Sequence, residues 1–176
     1  MTSVQRTTTP ESWGAARSKT VTWYDPSPSA QAMATLSGLE HVQALISGQL
    51  PPVPIAALTG TQVVHAETGV AELVCTPDES MYNPIGLVHG GLVCTLLDAV
   101  IGSAVHTTLP AGVGYTSVEI KVNYLRPVRA DTGELRARGW VTKPGQRIAF
   151  GEGEIRDTDG KVLATASSSC LIMNLS

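Results

Sequence analysis

Charged side chains are scarce in this sequence. Lysine, arginine, aspartate and glutamate together make up 15% of the 176 residues, whereas hydrophobic residues make up 43%. So few charges would cover a monomer's surface poorly, and we therefore expect other subunits to bury part of it. The formal net charge of −3 argues against nucleic acid as the main partner, because such proteins need a basic surface.

Cysteine is also rare. The three cysteines, Cys75, Cys94 and Cys170, are widely spaced and form no Cys-x-x-Cys pair. An odd number with this spacing argues against a disulfide framework and against a zinc knuckle, and it predicts reduced, packed thiols in a cytoplasmic protein. His41 and His65 have no partners at ligand spacing, so we predict neither a metal site nor a cofactor.

Long hydrophobic runs are missing. The first twenty residues contain no apolar segment of the kind found in signal peptides, so we predict none. The most apolar stretch, residues 90–109, is interrupted by polar side chains, and we predict no membrane span. Phenylalanine occurs once, as Phe150, so an aromatic pocket would have to use Trp140 or the tyrosines.

The residues that are present divide the chain into two parts. Residues 1–29 are polar and without periodicity, which predicts a loose arm. Apolar residues recur at helical spacing over residues 33–50, and a proline-rich connector follows at residues 51–54. We therefore predict an N-terminal arm with a short helix over residues 1–55 and a separate folded domain over residues 56–176.

The second part has the pattern of strands around one helix. Residues 91–108 are apolar on nearly every side, which predicts a central helix. In the next strand Val118, Ile120, Val122 and Tyr124 alternate with polar residues and should share one face. The predicted fold class is α+β, an antiparallel sheet wrapped around the helix. The predicted strands are residues 61–67, 70–75, 115–125, 134–143, 147–157 and 162–173.

One carboxylate stands alone in the predicted central helix. Asp98 is the only formally charged side chain between residues 90 and 109. Burying an unpaired polar group costs roughly 2–7 kcal/mol, so a carboxylate kept there indicates a function. A glycine-rich entry precedes the helix and ends in His89, Gly90 and Gly91. Free N–H groups at a helix start favour negative charge, as acyl transfer requires. His106, further along, is expected at the surface of the helix end.

These motifs together resemble a known family. Asn83 lies six residues before His89-Gly90-Gly91, Asp98 follows His89 by nine residues, and Asn-Tyr-Leu-Arg-Pro stands at residues 123–127. This set resembles the hotdog-fold acyl-CoA thioesterases, and among them the PaaI-like family of phenylacetate pathways. The resemblance extends over about residues 38–173. It implies a hotdog fold, with the sheet around the long helix, and hydrolysis of an acyl thioester to acid and CoA.

The resemblance also implies roles for individual residues. The N–H of Gly90 would polarise the thioester carbonyl, Asn83 would contact the thioester, and His89 would orient the site. Asp98 would activate water as a general base or attack directly as a nucleophile, and Ser117 would help to position water. The family shares each site across a homodimer, with Asp98 and Ser117 facing the partner's residues. Two dimers would pair into a homotetramer.

The substrate would be held by further residues. Arginines suit phosphate contacts with CoA, although strand-end arginines are as often simply solvated. Arg126 is the one that lies in a motif. The substrate-binding residues that we predict are Gly91, Thr116, Asn123, Arg126, Arg129 and Arg147.

Two other functions stay open at this point. A hotdog dehydratase or hydratase would add or remove water on an acyl thioester, usually with a histidine and a carboxylate as direct acid and base. A non-catalytic acyl-CoA-binding protein would hold the same ligand without hydrolysing it. The glycine-rich motif speaks against the first, and the retained Asp98 and Asn83 speak against the second.

Overall fold

The computed structural model of the protein describes residues 11–175, which comprise four α-helices, three 3₁₀-helices and six strands. The first ten residues of the predicted arm lie outside this range. The α-helices are Ser27–Ala32 (α1), Gly38–Ile46 (α2), Pro54–Thr59 (α3) and Gly90–His106 (α4). The strands are Thr61–Glu67 (β1), Val70–Cys75 (β2), Val113–Tyr124 (β3), Leu135–Lys143 (β4), Ile148–Arg156 (β5) and Val162–Asn174 (β6). The 3₁₀-helices are Glu11–Trp13, Glu79–Met81 and Ala130–Thr132.

The six strands form one antiparallel sheet in the order β1-β2-β4-β5-β6-β3. Short connections join β1 to β2 and β4 through β6, as hairpins allow. The long helix α4 lies between β2 and β3 in the chain, so β3 is carried to the far edge of the sheet. The prediction of an antiparallel sheet around one long helix is confirmed.

Glycines let α4 lie unusually close to the sheet. A Cβ atom added to Gly139 of β4 would come within 2.6 Å of the Val100 carbonyl oxygen, and one added to Gly151 of β5 within 2.7 Å of Ile101. The helix backbone therefore touches the strands directly, and its larger side chains fill the space on either side. The largest fully buried core residues include Leu73, Leu96, Leu97, Ile101, Leu135 and Ile155.

One predicted strand face is wrong in part. Ser117 pairs with Cys170 and Glu119 with Ser169, so Val118 is an extra residue in β3, a β-bulge. The bulge reverses the alternation on its N-terminal side, and 56% of Val118 is exposed. Ile120 and Val122 pack against the core as predicted, whereas Tyr124 is exposed.

The N-terminal helix prediction also needs correction. A single helix was expected over residues 33–50, but α2 covers only Gly38–Ile46 and α1 precedes it. Ser37 and Glu40 form a reciprocal capping box, which fixes the start of α2 because it satisfies free N–H groups. The connector at residues 51–54 runs into a further helix, α3, with Pro54 in its first turn and the left-handed Gly60 as its cap. Among residues 11–175, none of the helices has the length and apolar character that crossing a membrane would require.

Candidate active site

The loop before α4 is organised by Asn83. Its side-chain oxygen accepts hydrogen bonds from the backbone N–H groups of Ile85 and Leu87, both at 3.1 Å, and its own N–H donates to the Leu87 carbonyl at 2.7 Å. Asparagine commonly stabilises turns in this way. Asn83 therefore fixes the path by which the chain enters the helix.

His89 caps the start of α4. Its Nδ1 atom accepts a hydrogen bond from the N–H of Gly91 at 2.8 Å, and its carbonyl accepts one from Leu92 at 3.0 Å. Because Nδ1 is an acceptor here, a neutral His89 carries its proton on Nε2. The N–H of Gly90 has no hydrogen-bond partner among residues 11–175. The helix thus begins with one free donor that is held in a fixed direction.

Tyr124 of β3 holds Gly90 in place through a hydrogen bond and a close contact. Its hydroxyl donates to the Gly90 carbonyl at 3.0 Å, and a Cβ atom at residue 90 would stand 3.1 Å from the Tyr124 ring. The close approach favours glycine at this position. Tyr124 lies inside the motif of residues 123–127, but no role at the site was predicted for it.

A cleft of about 370 Å³ opens beside the free N–H of Gly90. It brings together three of the residues predicted from the sequence, namely Asn83, Gly90 and Arg126, together with Tyr124. The Arg126 guanidinium donates to the Val162 carbonyl. The cleft therefore combines a helix start with one exposed cation, which suits an anionic or strongly polarised group.

Asp98 faces a different space. It is half-buried on α4 and lines a cavity of about 380 Å³ between that helix and the N-terminal helices. Its carboxylate has no hydrogen bond or ion pair with any residue of the described range 11–175. Asp98 follows Gly90 by eight positions, so about 12 Å of helix lies between them. One substrate carbonyl cannot contact both groups of the same chain.

The cavity follows one side of α4 and is mostly apolar. Tyr115 of β3 borders it, and burial raises the pKa of this phenol well above its ordinary value, with smaller contributions from Cys170 and Asp98. The helix supplies Thr95, Ala99, Ser103 and His106, and the N-terminal segment supplies residues such as Met33, Val42, Leu45, Val53, Ile55 and Ala56.

The far end of this cavity contradicts one expectation. His106 was expected at the surface, but only 5% of it is exposed because α2 covers the helix end. Neither of its ring nitrogens has a hydrogen-bond partner in the described structure. Burial, reinforced by the neighbouring His41, lowers the pKa of His106 to about 4. The two imidazole rings meet edge to face, with centroids 5.2 Å apart.

His41 is buried by the same packing. Its Nε2 atom contacts the hydroxyl of Ser29 at 3.0 Å and the Ser29 carbonyl at 3.1 Å, which identifies Nε2 as the protonated nitrogen. Nδ1 is buried and has no partner among the described residues. Burial lowers the pKa of His41, so both rings are held neutral near pH 7.

The other predicted site residues lie apart from both cavities. Thr116, Ser117 and Asn123 are exposed on β3, and Asn123 has only a 3.5 Å contact with Thr165. Gly91 is exposed at the helix start, and Arg129 and Arg147 are exposed on loops. Gly91 follows Gly90 in the chain, whereas the other residues form no hydrogen bond with Gly90 or Asp98 within residues 11–175 and line neither cavity, so their roles stay predictions.

The potential metal ligands and the three thiols lie in arrangements that indicate a structural role. Within residues 11–175, no three histidine, cysteine or acidic side chains are arranged to hold a metal ion. Cys75 and Cys170 are buried, Cys94 is half-buried, and none forms a disulfide. Burial raises the pKa of each of these thiols, which makes them poor nucleophiles.

Comparison with known proteins decides the family. The thioesterase superfamily model matches residues 85–164, a range that includes Gly90, Asp98 and Arg126. A protein of Halobacterium salinarum, provisionally named an esterase, is 32% identical over 118 residues, which cover 64% of this chain and 76% of that protein. The chain belongs to the thioesterase superfamily. Mouse acyl-coenzyme A thioesterase 13 is 29% identical over 96 residues, covering 53% of this chain and 67% of the mouse protein.

A solved structure confirms the fold of this superfamily member. A Ralstonia eutropha protein, provisionally named a thioesterase related to phenylacetic acid degradation, superposes with a TM-score of 0.68 and 28% identity. The match covers 74% of this chain and 98% of that protein. The predicted hotdog fold and the predicted resemblance are therefore confirmed. Together the comparisons indicate a hydrolase that acts on thioesters.

Proposed function

We propose that this thioesterase hydrolyses acyl-CoA, with Asp98 as the catalytic carboxylate and the Gly90 N–H as the donor to the thioester carbonyl. The observation that carries the proposal is the half-buried Asp98 carboxylate, which has no partner among residues 11–175 and faces a cavity. A carboxylate with a purely structural role would usually be held by an ion pair or by hydrogen bonds, and Asp98 has neither within residues 11–175. An unpaired carboxylate is instead available to a reacting group.

Hydrolysis requires two protein groups, a hydrogen-bond donor and a carboxylate, to act on the same thioester carbonyl. As the thioester carbon becomes tetrahedral, its oxygen gains negative charge, and the Gly90 N–H at the start of α4 would stabilise that charge. Asp98 would take a proton from water while the water oxygen bonds to the acyl carbon, or would attack that carbon itself and form an anhydride that water then opens. In either route the carbon–sulfur bond breaks and the CoA sulfur leaves as a thiolate, which takes the proton that Asp98 removed from water in the first route and a proton from solvent in the second.

A second copy of the chain would bring these groups together. The 12 Å or so of helix between Gly90 and Asp98 is too long for one carbonyl to reach both within a chain. The strand β3 forms an open edge of the sheet, so its unpaired backbone groups are available to a strand of another subunit. Val118 and Tyr124 are exposed along this strand. We therefore propose a homodimer in which Asn83 and Gly90 of one subunit face Asp98 and Ser117 of the other; pairing into tetramers stays a prediction.

The leaving group would be CoA. Arg126 lines the cleft beside Gly90, where its guanidinium would contact a CoA phosphate. Arg129 and Arg147 are exposed and would assist only from a partner subunit. The acyl-CoA thioesterase name of the mouse relative supports this leaving group. A cytoplasmic location, where acyl-CoA is found, is part of the same proposal.

A mixed dimer tests the shared site. One subunit carries Asp98→Asn and the other carries Gly90→Pro, and two affinity tags isolate the mixed species. Proline removes the N–H of residue 90 but fits the first turn of a helix, and the extended His89 (φ −60°, ψ 133°) already has the backbone that precedes proline. Each substituted homodimer should be almost inactive.

The mixed dimer has one intact site if the site is shared, because both substitutions then fall in the other site. It should release thiol from acyl-CoA at about half the wild-type rate, as the symmetry of a two-fold dimer requires. An inactive mixed dimer, with both singly substituted homodimers folded, would show that Gly90 and Asp98 of the same chain act together. Substantial activity of either homodimer would contradict the proposed role of its altered residue.

A further inference from the structure

The cavity beside Asp98 extends along α4 as far as His106. Both residues line it, and His106 follows Asp98 by eight positions, which is about 12 Å along the helix axis. A thioester carbonyl in contact with Asp98 would therefore direct its acyl group into this space. The volume of about 380 Å³ is in the range of small-ligand pockets.

The walls of the cavity are mostly aliphatic. Leu45 of α2, Ala56 of α3 and Leu73 of β2 are among the residues that line it. The ring nitrogens of His41 and His106 that have no partner among residues 11–175 are buried behind the wall, so they offer no hydrogen bond to an occupant. An occupant would therefore bind by burying apolar surface, and each buried methylene group contributes about 4-fold to affinity.

The length of the cavity limits an extended chain. At the His106 end, Gly38 of α2 packs directly on the helix backbone, where an added Cβ atom would come within 1.7 Å of the His106 carbonyl oxygen. An extended chain advances about 1.3 Å for each carbon–carbon bond of about 1.5 Å, so roughly six to ten carbons fill the distance from Asp98 once van der Waals contact at the far end is allowed for.

A thin wall separates this cavity from a second space. A groove of about 550 Å³ lies between the end of α2, α3 and β1. Leu45, Val53 and Ala56 line both the cavity and the groove, and so do Thr61 and Val63 of β1. Because these side chains are reached from both sides, the wall is one residue thick. They therefore decide whether a chain longer than the cavity can continue into the groove.

We propose that the substrate is an acyl-CoA with an aliphatic acyl group of about six to ten carbons, and that the side chain of Leu45 sets the upper limit of its length. The inference rests on the proposed function. Leu45 is the largest of the three wall side chains that precede β1, so its removal should open the wall most. All three lie before residues 85–164, which match the superfamily model, so the N-terminal segment of this chain would set the limit.

A series of straight-chain substrates tests the proposal. Thiol release gives kcat/KM for butanoyl-, octanoyl- and tetradecanoyl-CoA. The wild-type enzyme should favour octanoyl-CoA about 10-fold or more over each of the others, because butanoyl leaves part of the cavity empty and tetradecanoyl is too long for it. Leu45→Ala should raise the tetradecanoyl to octanoyl ratio about 10-fold. Ile46→Ala is the matched control, since Ile46 lines only the groove, and it should keep the wild-type ratio.

Filling the cavity tests its length from the inside. Ser103 lines it between Asp98 and His106, and Ser103→Leu adds an apolar group there. This variant should lower kcat/KM for octanoyl-CoA about 10-fold and leave that for butanoyl-CoA within about 2-fold, because only the longer chain reaches Ser103. Thermal unfolding checks each variant, and Ser103→Leu still tests the proposal if Leu45→Ala does not fold.

Binding keeps this test separate from that of the proposed function. The butyl, octyl and tetradecyl thioethers of CoA cannot be hydrolysed, and calorimetry measures their affinities for wild type, Leu45→Ala and Ile46→Ala. Tightest binding of the octyl thioether, with a gain for the tetradecyl thioether in Leu45→Ala alone, would support the inference even if no thioester is hydrolysed, an outcome that contradicts only the proposed function.

Three results of the hydrolysis assays would overturn the inference and leave the proposed function standing. The first is equal kcat/KM for all three straight-chain substrates. The second is a chain-length profile that neither Leu45→Ala nor Ser103→Leu changes. The third is a higher kcat/KM for phenylacetyl-CoA than for octanoyl-CoA, because an aromatic acyl group would then be the better occupant of the cavity.

Discussion

The two halves of α4 present different chemistry. The first half begins with two glycines and offers a backbone N–H, held by the Asn83 loop, the His89 cap and the Tyr124 hydroxyl. The second half offers side chains, from Asp98 to His106, and these face a cavity that the N-terminal helices of the same chain enclose. Gly91 at the start of the helix is exposed to solvent, whereas the end of the helix at His106 is buried.

The two halves of α4 differ because one presents a backbone N–H group and the other presents side chains. A backbone donor needs no side chain at its own position and needs room for the substrate, so the helix start is lined by glycine and left open. The packing of α2 against the end of the helix buries His106, whereas Asp98 stays half-buried beside the cavity. Because about 12 Å of helix separates Gly90 from Asp98, both halves serve one reaction only if a second copy supplies one of them.

Removing the carboxylate should have the largest effect on activity. Asp98→Asn is nearly isosteric, and the carboxylate has no partner in residues 11–175 that the substitution would disturb. We expect kcat for acyl-CoA to fall about 10²–10⁴-fold, the usual contribution of a positioned acid or base. Thiol release measures the rate, and thermal unfolding of the same sample checks the fold. A rate close to wild type in the folded variant would show that the second half of α4 is not catalytic.

Removing the N–H group of Gly90 tests the proposed role of the first half of α4. Gly90→Pro deletes the N–H, and Gly90→Ala, which places the same Cβ atom near Tyr124 but keeps the N–H, is its control. We expect the proline variant to lose about 10²–10³-fold in kcat relative to the alanine variant, as for other oxyanion donors. Equal rates for the two variants would mean that the N–H of residue 90 does not contact the reacting oxygen.

The buried His106 in the second half of α4 should also make the stability of the protein depend on pH. Burial lowers the pKa of His106 from 6.5 to about 4, so between these values the unfolded chain binds a proton that the folded chain does not. The free energy of unfolding should therefore fall by about 3 kcal/mol as the pH decreases from 6.5 to 4, and His41 acts in the same direction. Urea unfolding at several pH values measures this slope. His106→Phe should flatten it, and an unchanged slope in that variant would assign the effect to other groups.

The smallest effect is expected at the cap of α4. His89→Ala removes the acceptor for the Gly91 N–H and should cost about 1 kcal/mol of stability, whereas His89→Asn keeps a capping oxygen and should recover most of that loss. Both are measured by urea unfolding. The asparagine variant should also keep most of the wild-type kcat, since His89 orients the loop. A loss of about 10²–10⁴-fold in that variant would instead assign proton transfer to His89.

Local patterns were sufficient to predict much of the fold. The limits of β1 and β2 agree with the prediction to the residue, and α4 and the later strands agree within about two residues, because alternation and turn residues are local signals. The helix α3 had its own signals, Pro54 in the first turn and Gly60 after the last, but its six residues are too few for a clear periodicity. No local sequence signal marks the bulge at Val118, because the bulge depends on how β3 pairs with β6.

The sequence by itself determined the sheet, the central helix and the isolated Asp98, because periodicity and a lone charge are properties of neighbouring residues. Only the tertiary structure decided the surroundings of the histidines. His41 and His106 are 65 residues apart in the chain, and neither has a sequence signal for burial; they meet because Gly38 lets α2 pack directly against the end of α4. Such long-range packing decides which polar groups lose contact with water, and no local pattern of residues encodes it.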